Sequence, residues 1–358
     1  MLKHRIIGLM SGTSLDGLDI ALCTISWDGT SWSGAIESAE TVRYSAEWKT
    51  RLSASMTLSA VEFVALDAEL GRWMGGQVRD FLLEKGANAD FVASHGHTVF
   101  HQPHKGYTVQ IGNGASLAAA CGLPVVCDFR RMDTALGGQG APLVPVGDRL
   151  LFGEYDFCLN LGGIANISYE FGHDRLAFDI CPVGMALDYL ANKAGMEYDR
   201  DGLLARSGRV NAALLAQLNQ LDYYSAEPPK SLGREWFDTR FLPLIQRDDI
   251  PSADLLATCC EHIAVQTGAV LQGWNGKVLV TGGGAWNEFL IGRMQAHCST
   301  SLIVPDARLV NFKEALVFAL LGALRWNVLA NTLDTVTGAS RCVSSGVIWM
   351  PGEASPAG

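Results

Sequence analysis

Several things are scarce in this chain, and each scarcity narrows what it can be. No Cys-x-x-Cys spacing occurs. The nine cysteines (Cys23, Cys121, Cys127, Cys158, Cys181, Cys259, Cys260, Cys298 and Cys342) are odd in number, scattered and mostly set in apolar runs, where Cys behaves as a small hydrophobe. A disulfide framework or a structural zinc site is therefore not expected, and a reducing compartment fits best. Nor is there a basic excess: 27 Lys and Arg stand against 37 Asp and Glu, a formal net charge of −10. Such a surface repels nucleic acid and anionic lipid, so neither is expected as a partner, although a local cleft can still be positive for an anionic substrate. Long apolar runs are missing too. Ile6 to Met10, behind Lys3, His4 and Arg5, is too short for a secretion-signal core. The longest apolar stretch, Ala315 to Ala330, is interrupted by Arg325 and Asn327 and reads as a buried helix, not a membrane span. The sequence therefore reads as soluble and cytoplasmic. Low-complexity segments and short repeats are absent. No Gly-Lys-Ser/Thr follows the first glycine-rich turn, which rules out a Walker loop there.

What is present is ordinary globular composition, 48% hydrophobic and 18% charged over 358 residues. That length is too great for one typical core, and two domains are expected. Arg5 to Met10 and Leu18 to Ile25 read as strands joined by a turn at Asp16-Gly17. Ala60 to Lys85 has helical periodicity and a fitting stop at Gly86. Phe91 to Ser94 reads as a strand leading into a His-rich loop, Ala115 to Cys121 as a short helix, and Leu123 to Phe129 as a strand. The Gly/Pro-rich segment from Gly137 to Pro145 marks a domain boundary. A second α/β pattern follows, with strands at 157–160, 167–170, 176–180, 277–281 and 301–304. Its helices are expected at 185–193, 211–221, 252–274, 288–297 and 313–330. Both halves begin with strand, glycine-rich turn, strand (Ile6 to Ile25, then Phe157 to Tyr169), which points to two similar halves with a ligand between them. The expected division is 1–135 plus a tail of about 340–358, and 136–339.

Three glycine-rich turns carry the chemistry. The first, Gly8 to Asp19, offers backbone N–H groups and hydroxyls at Gly12, Thr13, Ser14, Leu15, Asp16, Gly17 and Leu18 to phosphate oxygens. Asp16 and Asp19 are suited to a hydrated Mg²⁺, which prefers oxygen ligands and keeps water. A plain Asp-Gly hairpin is the alternative. The second turn places Gly162 and Gly163 between two strands, where a tight turn with a bulge would serve as well. The third, Gly282-Gly283-Gly284, lies between a buried strand and a helix. It suits a nucleotide's ribose and base, or phosphates at the helix N-terminus, and a simple strand-to-helix turn rarely needs three glycines.

Together the turns resemble the two phosphate motifs and the adenosine motif of the actin/hexokinase/Hsp70 ATPase superfamily. The run from Leu9 to Leu22 is more specific, and resembles the signature of the anhydro-N-acetylmuramic acid kinases. Further segments agree, in order across nearly the whole chain: Ser94 to Thr98, Val109 to Asn113, Asp128 to Arg131, Gly137 to Pro145, Phe178-Asp179, Asp199 to Gly202 and Val336 to Ala339. The resemblance implies an α/β fold of two similar ribonuclease-H-like domains, with an ATP cleft between the domains. It also implies a kinase using ATP and Mg²⁺ that cleaves the 1,6-anhydro bridge of a muramic sugar and phosphorylates O6. Asp179 matches the family's base for the attacking water, His95 and His97 lie at the edge of the sugar pocket, and Glu314 matches a position near the active site. The small-molecule partners are thus the sugar and ATP, and a homodimer stays open.

Each residue has a blander reading beside this one. Asp179 is equally suited to cap a helix after Pro182, and Glu314 to favour the dipole of a helix it opens. Arg130, preferred over Arg131, suits a lactyl carboxylate, but an ion pair with an acidic neighbour would serve it too. His95, His97, His101 and His104 invite a metal reading, against which no carboxylate ligand stands beside them. One departure matters: after Asp179 the family's usual run has two glycines around its proline and then an asparagine, whereas here Ile180-Cys181-Pro182-Val183-Gly184 follows. A tighter, more apolar pocket is expected from it, leaving a different anhydrosugar or hexose as a second substrate reading. An ATP-binding structural or chaperone-like relative is the third.

Overall fold

The computed structural model describes residues 2–12 and 14–352. Among the described residues twelve strands occur in chain order: β1 (Leu2–Ser11), β2 (Gly17–Trp27), β3 (Trp32–Arg43), β4 (Phe91–Gln102), β5 (Tyr107–Ile111), β6 (Val125–Cys127), β7 (Phe157–Leu161), β8 (Ile164–Phe171), β9 (Asp174–Pro182), β10 (Lys277–Thr281), β11 (Ser301–Ile303) and β12 (Val347–Trp349). The chain divides into two compact units. The described residues up to Leu151 and from Phe312 onward make the first, and Phe152–Asn311 the second.

In the first unit the sheet order is β12-β6-β4-β1-β2-β3, with β5 paired to β4. β1 runs antiparallel to β2 and β2 to β3, whereas β1–β4 and β4–β6 are parallel. Ile6, Ile7, Leu9, Leu18, Ile20, Ala21 and Cys23 are fully buried. Covered on both faces, β1 and β2 read as continuous apolar runs and not as alternating ones. The Ala60–Glu84 helix opens on a capping box formed by Ser59 and Glu62. It buries Leu66, Leu70, Met74, Val78 and Phe81 along one stripe. Gly71 and Gly75 bring it flush against the next helix, Gly114–Cys121: a Cβ on Gly75 would stand 2.6 Å from the Leu117 carbonyl oxygen.

In the second unit the order is β11-β10-β7-β8-β9, with β7–β8 and β8–β9 antiparallel and β7–β10 and β10–β11 parallel. The central order and directions of β3-β2-β1-β4-β6 and β9-β8-β7-β10-β11 are therefore the same. The same α/β topology occurs twice, as the repeated strand–turn–strand pattern predicts, and it is the ribonuclease-H-like one that the family resemblance implies. The second core is built on the Ser252–Leu271 helix, which buries residues around most of its circumference, Leu255, Leu256, Cys259, Cys260, Ile263 and Ala264 among them.

Two expectations are corrected. The units part at 151/152 and 311/312, not at 135/136 and 339/340. The Gly/Pro segment resembles a linker, but it leads into a helix, Val144–Leu151, that stays with the first unit. Buried Asp148 there pairs with buried Lys313 at 2.6 Å, and Gly147 sits against Val317. Similarly, β4 does not stop at Ser94 but continues to Gln102, so His95 and His97 stand on a strand and not in a loop. Its pairing with β5 provides the hydrogen bonds that extend it.

Gly8, at the centre of β1, makes the closest approach in this unit. A Cβ there would lie 1.9 Å from the Ala315 carbonyl oxygen. Backbone cannot yield as a flexible side chain can, so Gly8→Ala is expected to destabilise the protein by about 3 kcal/mol, the upper part of the range for overpacking. Denaturant unfolding checks this: the midpoint should fall with an unchanged slope, and an unaltered midpoint would contradict the contact.

Candidate functional site

The first unit's phosphate-turn candidate is the β1–β2 hairpin. Thr13 lies outside the described residues. Gly12 is partly exposed, and Ser14 and Asp16 are exposed, at the bend. Leu15 N–H donates to the Gly12 carbonyl, and Leu15 takes a left-handed φ of 60°. That conformation is costly for a branched side chain and persists only where its surroundings enforce it. Gly17 lies so close to β3 that a Cβ would stand 2.5 Å from the Val42 carbonyl oxygen. The Leu18 side chain is wholly buried in the core, so Leu18 can offer a ligand only its backbone.

Asp19 follows on β2, and its Oδ1 accepts a 2.6 Å hydrogen bond from Thr41. Burial above all, then the negative charges of Glu314 and Asp16, push its pKa up to about 6, against the Thr41 hydroxyl that lowers it. Carboxylates that repel one another in this way are what a divalent cation relieves. Among the described residues no group of three or more His, Cys, Asp or Glu side chains forms a metal cage. An Asp16–Asp19 pair completed by water suits Mg²⁺, which is held by one or two carboxylates plus phosphate.

A second cluster surrounds Arg130. His95 Nδ1–H donates to the Gly96 carbonyl at 2.8 Å, and its Nε2 accepts from Arg130 Nε at 3.0 Å and Nη2 at 2.8 Å. Arg130 Nη1 donates to the Gly140 carbonyl at 2.7 Å. Burial first, then the Arg130 charge, hold the His95 pKa well below the usual imidazole range, so the ring is neutral and serves Arg130 as an acceptor. With both nitrogens engaged, His95 is not a metal ligand. Burial lowers Arg130 to about 10, opposed by Glu314 and Asp133. Glu314 is raised by burial and lowered by Arg130 and Lys313. His97 Nδ1 lies 3.0 Å from Ser11 Oγ, which lies 2.8 Å from Tyr44 Oη, and burial pushes His97 down to about 4.

These contacts bear on several open readings. Arg131 is exposed and faces Asp128 at 3.5 Å, so the two arginines are not equivalent. The Ala307–Trp326 helix is broken at Phe312, whose backbone is non-helical (φ −120°, ψ 16°), so Lys313 and Glu314 begin its second helical stretch and the dipole reading of Glu314 stands beside its charge on Arg130. His101 and His104 are exposed. Asp133, which sequence patterning did not single out, is fully buried and accepts from Gly140 N–H and Thr337 Oγ1, both at 2.7 Å. It pins the Gly137–Gly140 loop beneath Arg130. Its only signal in the sequence is that it lies between Arg130 and the glycines.

In the second unit, Gly162 and Gly163 close the β7–β8 hairpin. Their carbonyls accept from Val183, Gly184 and Met185 N–H groups at 2.9–3.1 Å, at the start of the Gly184–Lys193 helix. The turn's acceptors are thus taken, and its donors are what it can offer a phosphate. Gly282 (φ 85°) and Gly284 pack on the end of β7. A Cβ on either would fall 2.8 Å or less from Asn160 or Leu161 atoms, whereas Gly283 faces open space. The second and third glycine turns are therefore neighbours in this unit.

Asp179 lies within β9, opposite Asn166 on β8. The helix after it starts at Gly184, with Val183 in the cap position and no side-chain cap, so Asp179 caps nothing. Its Oδ2 accepts from Leu232 N–H at 2.8 Å, its N–H donates to the Lys230 carbonyl at 3.2 Å, and its carbonyl accepts from Tyr223 Oη at 2.6 Å. Burial raises the carboxyl pKa and the Leu232 N–H partly offsets the rise. In the run that departs from the family, Cys181 and Val183 are wholly buried in the hydrophobic core of this unit, whereas Ile180, also a core residue, lines a small cavity with Tyr224, Lys230 and Gln266. Nearby, Tyr224 Oη lies 2.8 Å from His262 Nε2, and His262 Nδ1 2.6 Å from Asn219 Oδ1. The apolar run that hosts His262 hid it from sequence reading.

A family model described as anhydro-N-acetylmuramic acid kinase matches residues 4–351. The anhydro-N-acetylmuramic acid kinase of Vibrio cholerae serotype O1 is 37% identical to this chain, covering 98% of it and 99% of the relative. Those of Synechococcus elongatus and Methylobacterium nodulans are 35% and 36% identical, over 94% and 97% of this chain and 97% and 100% of their own.

His262 gives a pH test. Burial holds it at about 3, against 6.5 for the unperturbed group. The unfolded chain therefore binds the extra proton first, and this stabilising contribution, complete above about pH 6.5, is lost as pH falls toward 3. In His262→Phe the titration is gone. The stability gap between wild type and variant should shrink by about 1.4 kcal/mol per pH unit below pH 6.5, read by urea unfolding at pH 7 and pH 5. A gap independent of pH would contradict a buried neutral imidazole.

Proposed function

We propose a reaction for this chain from the family it belongs to, that of the anhydro-N-acetylmuramic acid kinases. The chain is an ATP-dependent sugar kinase. It hydrolyses the 1,6-anhydro bridge of 1,6-anhydro-N-acetylmuramic acid and phosphorylates O6, giving N-acetylmuramic acid 6-phosphate and ADP. The observation that carries the mechanism is Asp179: a partly buried carboxylate with Oδ2 held by a backbone N–H, and Oδ1 without a hydrogen bond among the described residues. A carboxylate tied at one oxygen and open at the other is suited to take a proton.

The atoms balance as follows. Water attacks the anomeric carbon and passes its proton to Asp179 Oδ1, while the bond from that carbon to O6 breaks. O6 attacks the γ-phosphorus, the bond from the γ-phosphorus to the bridging oxygen breaks, and ADP leaves. Asp179 then releases the proton to solvent. The negative carboxylate also stabilises positive charge developing at the anomeric carbon. Phosphoryl transfer depends mainly on positioning and charge neutralisation. That role falls to the N–H groups and hydroxyls from Gly12 to Leu18, to Gly162 and Gly163 for phosphates, and to Gly282, Gly283 and Gly284 for adenosine. Asp19 and Asp16 would hold the magnesium ion, which when bound neutralises phosphate charge. Arg130, oriented by His95 and kept cationic beside Glu314, offers its remaining N–H donors to the lactyl carboxylate, with His97 at the sugar's edge. A cytoplasmic enzyme of cell-wall sugar recycling fits this chemistry. No helix among the described residues is long and apolar enough to cross a membrane.

Two substitutions test these roles. Asp179→Asn keeps the shape and the Leu232 contact but cannot accept a proton. Turnover should fall by about 10²–10⁴, with thermal melting and ATP affinity near wild type. A variant keeping more than about a tenth of wild-type turnover would remove Asp179 from the chemistry, since the expected loss is at least tenfold larger. Arg130→Ala should weaken binding of the muramic substrate by about 2–5 kcal/mol, and weaken an anhydrosugar lacking the lactyl group far less. Equal losses for both sugars would make Arg130 structural.

A further inference from the structure

The Asp222–Leu232 segment, a 3₁₀ turn at Asp222–Ser225 followed by irregular chain, lies between the Ala212–Asn219 helix and the short Arg234–Trp236 turn of helix. It carries none of the glycine turns or family motifs, yet it makes all three of the hydrogen bonds just described for Asp179: Tyr223 Oη to the carbonyl, Lys230 carbonyl to the N–H, and Leu232 N–H to Oδ2. The segment is also tied to itself and to the helices beneath it. Lys230 Nζ donates to the Tyr223 carbonyl at 3.2 Å and lies 4.8 Å from the centre of the Tyr223 ring. Tyr224 reaches His262, whose other nitrogen faces Asn219, and Gln266 Nε2 donates to the same Asn219 oxygen at 2.9 Å. Since the Asn219 oxygen can only accept, the neutral His262 carries its proton on Nδ1 and accepts from the Tyr224 hydroxyl at Nε2.

We propose that this segment is the positioning device for the base. Tyr223 fixes the backbone of Asp179, Leu232 N–H occupies Oδ2, and Oδ1 alone is presented to the attacking water. The proposal rests on the reading of Asp179 as the base. A free carboxylate rotates and offers either oxygen, so a base held at one oxygen reacts from a single geometry, and small misplacements of a reacting group are costly in rate. Burial raises the carboxyl pKa, and the Leu232 N–H opposes that rise by favouring the ionised form. The ionisable groups around Asp179 are Tyr223 and Lys230 on the segment and Cys181 on β9, while His262 faces Tyr224. Burial drives both Tyr223 and Cys181 upward, so neither titrates in the range where the base works, and Lys230 is directed at the Tyr223 carbonyl and ring.

The test uses the full-length enzyme with ATP and 1,6-anhydro-N-acetylmuramic acid, and three variants. Tyr223→Phe keeps the ring and removes only the hydroxyl. Turnover should fall about tenfold, with the KM for ATP and the melting temperature near wild type. Leu232→Pro removes the N–H. Because the ionised carboxylate loses a donor, the acid limb of the turnover–pH profile should move to higher pH by about one unit. A merely structural segment would alter melting and leave that limb in place. Asp179→Asn separates the two levels. If it stays active, the reading of the base has failed. If it is inactive while Tyr223→Phe turns over normally and Leu232→Pro keeps the wild-type acid limb, the positioning proposal alone is overturned. Should Leu232→Pro fail to fold, Tyr223→Phe decides: wild-type turnover overturns the proposal, and a tenfold loss at unchanged melting upholds it.

Discussion

The contact on which the first unit depends is backbone on backbone: Gly8 of the central strand against Ala315 of the last long helix, with no room for a methyl group. Its reach is chemical as well as structural. Three residues beyond Gly8 lies Ser11, whose hydroxyl joins His97 and Tyr44. One residue before Ala315 lies Glu314, whose charge acts on both Asp19 and Arg130. Seating the helix on the strand thus fixes an acidic group between a metal-binding candidate and a carboxylate-binding candidate. Interiors pack too densely for such a group to be reset by small adjustments elsewhere.

Electrostatics in this unit follows from which groups are allowed to carry charge. His95 and His97 are driven neutral by burial, so Arg130 is the cation of its cluster, and a neutral imidazole orients it without competing for an anion. Asp19 and Glu314 are both raised by burial, which leaves the acidic side short of positive charge. The second unit has the opposite economy. The proton affinity of Asp179 is set by burial, which raises it, and by the Leu232 N–H, which lowers it, and not by a counter-ion.

Much of this was legible in the sequence. Glycine-rich turns between apolar runs announce strand–turn–strand units because glycine is required where backbone approaches backbone, and the repeat of that unit announced two similar halves. Gly282 and Gly284 meet that requirement against β7, while Gly17 meets it against β3. What escaped were features with no local signature. The continuation of β4 past Ser94 depends on β5 as its partner. The Val144–Leu151 helix belongs to the first unit through Lys313, far away in sequence. The Cys181 and Val183 departures looked like pocket changes because alternation along a strand does not say which face meets the core. Asp133 and His262 are buried polar residues whose partners lie on distant segments, and no spacing rule reveals such partners.

Gly283 differs from its two neighbours in a way that has practical value. Where Gly282 and Gly284 are hemmed in by β7, Gly283 is exposed, with no atom near enough to obstruct a side chain and a backbone outside the left-handed region. A cysteine installed there could carry an environment-sensitive dye at the turn proposed for adenosine. The native thiols are a manageable background, since most are partly or wholly buried and only Cys342 is exposed. The enzyme could then be made to report its own nucleotide occupancy optically, without a coupled assay.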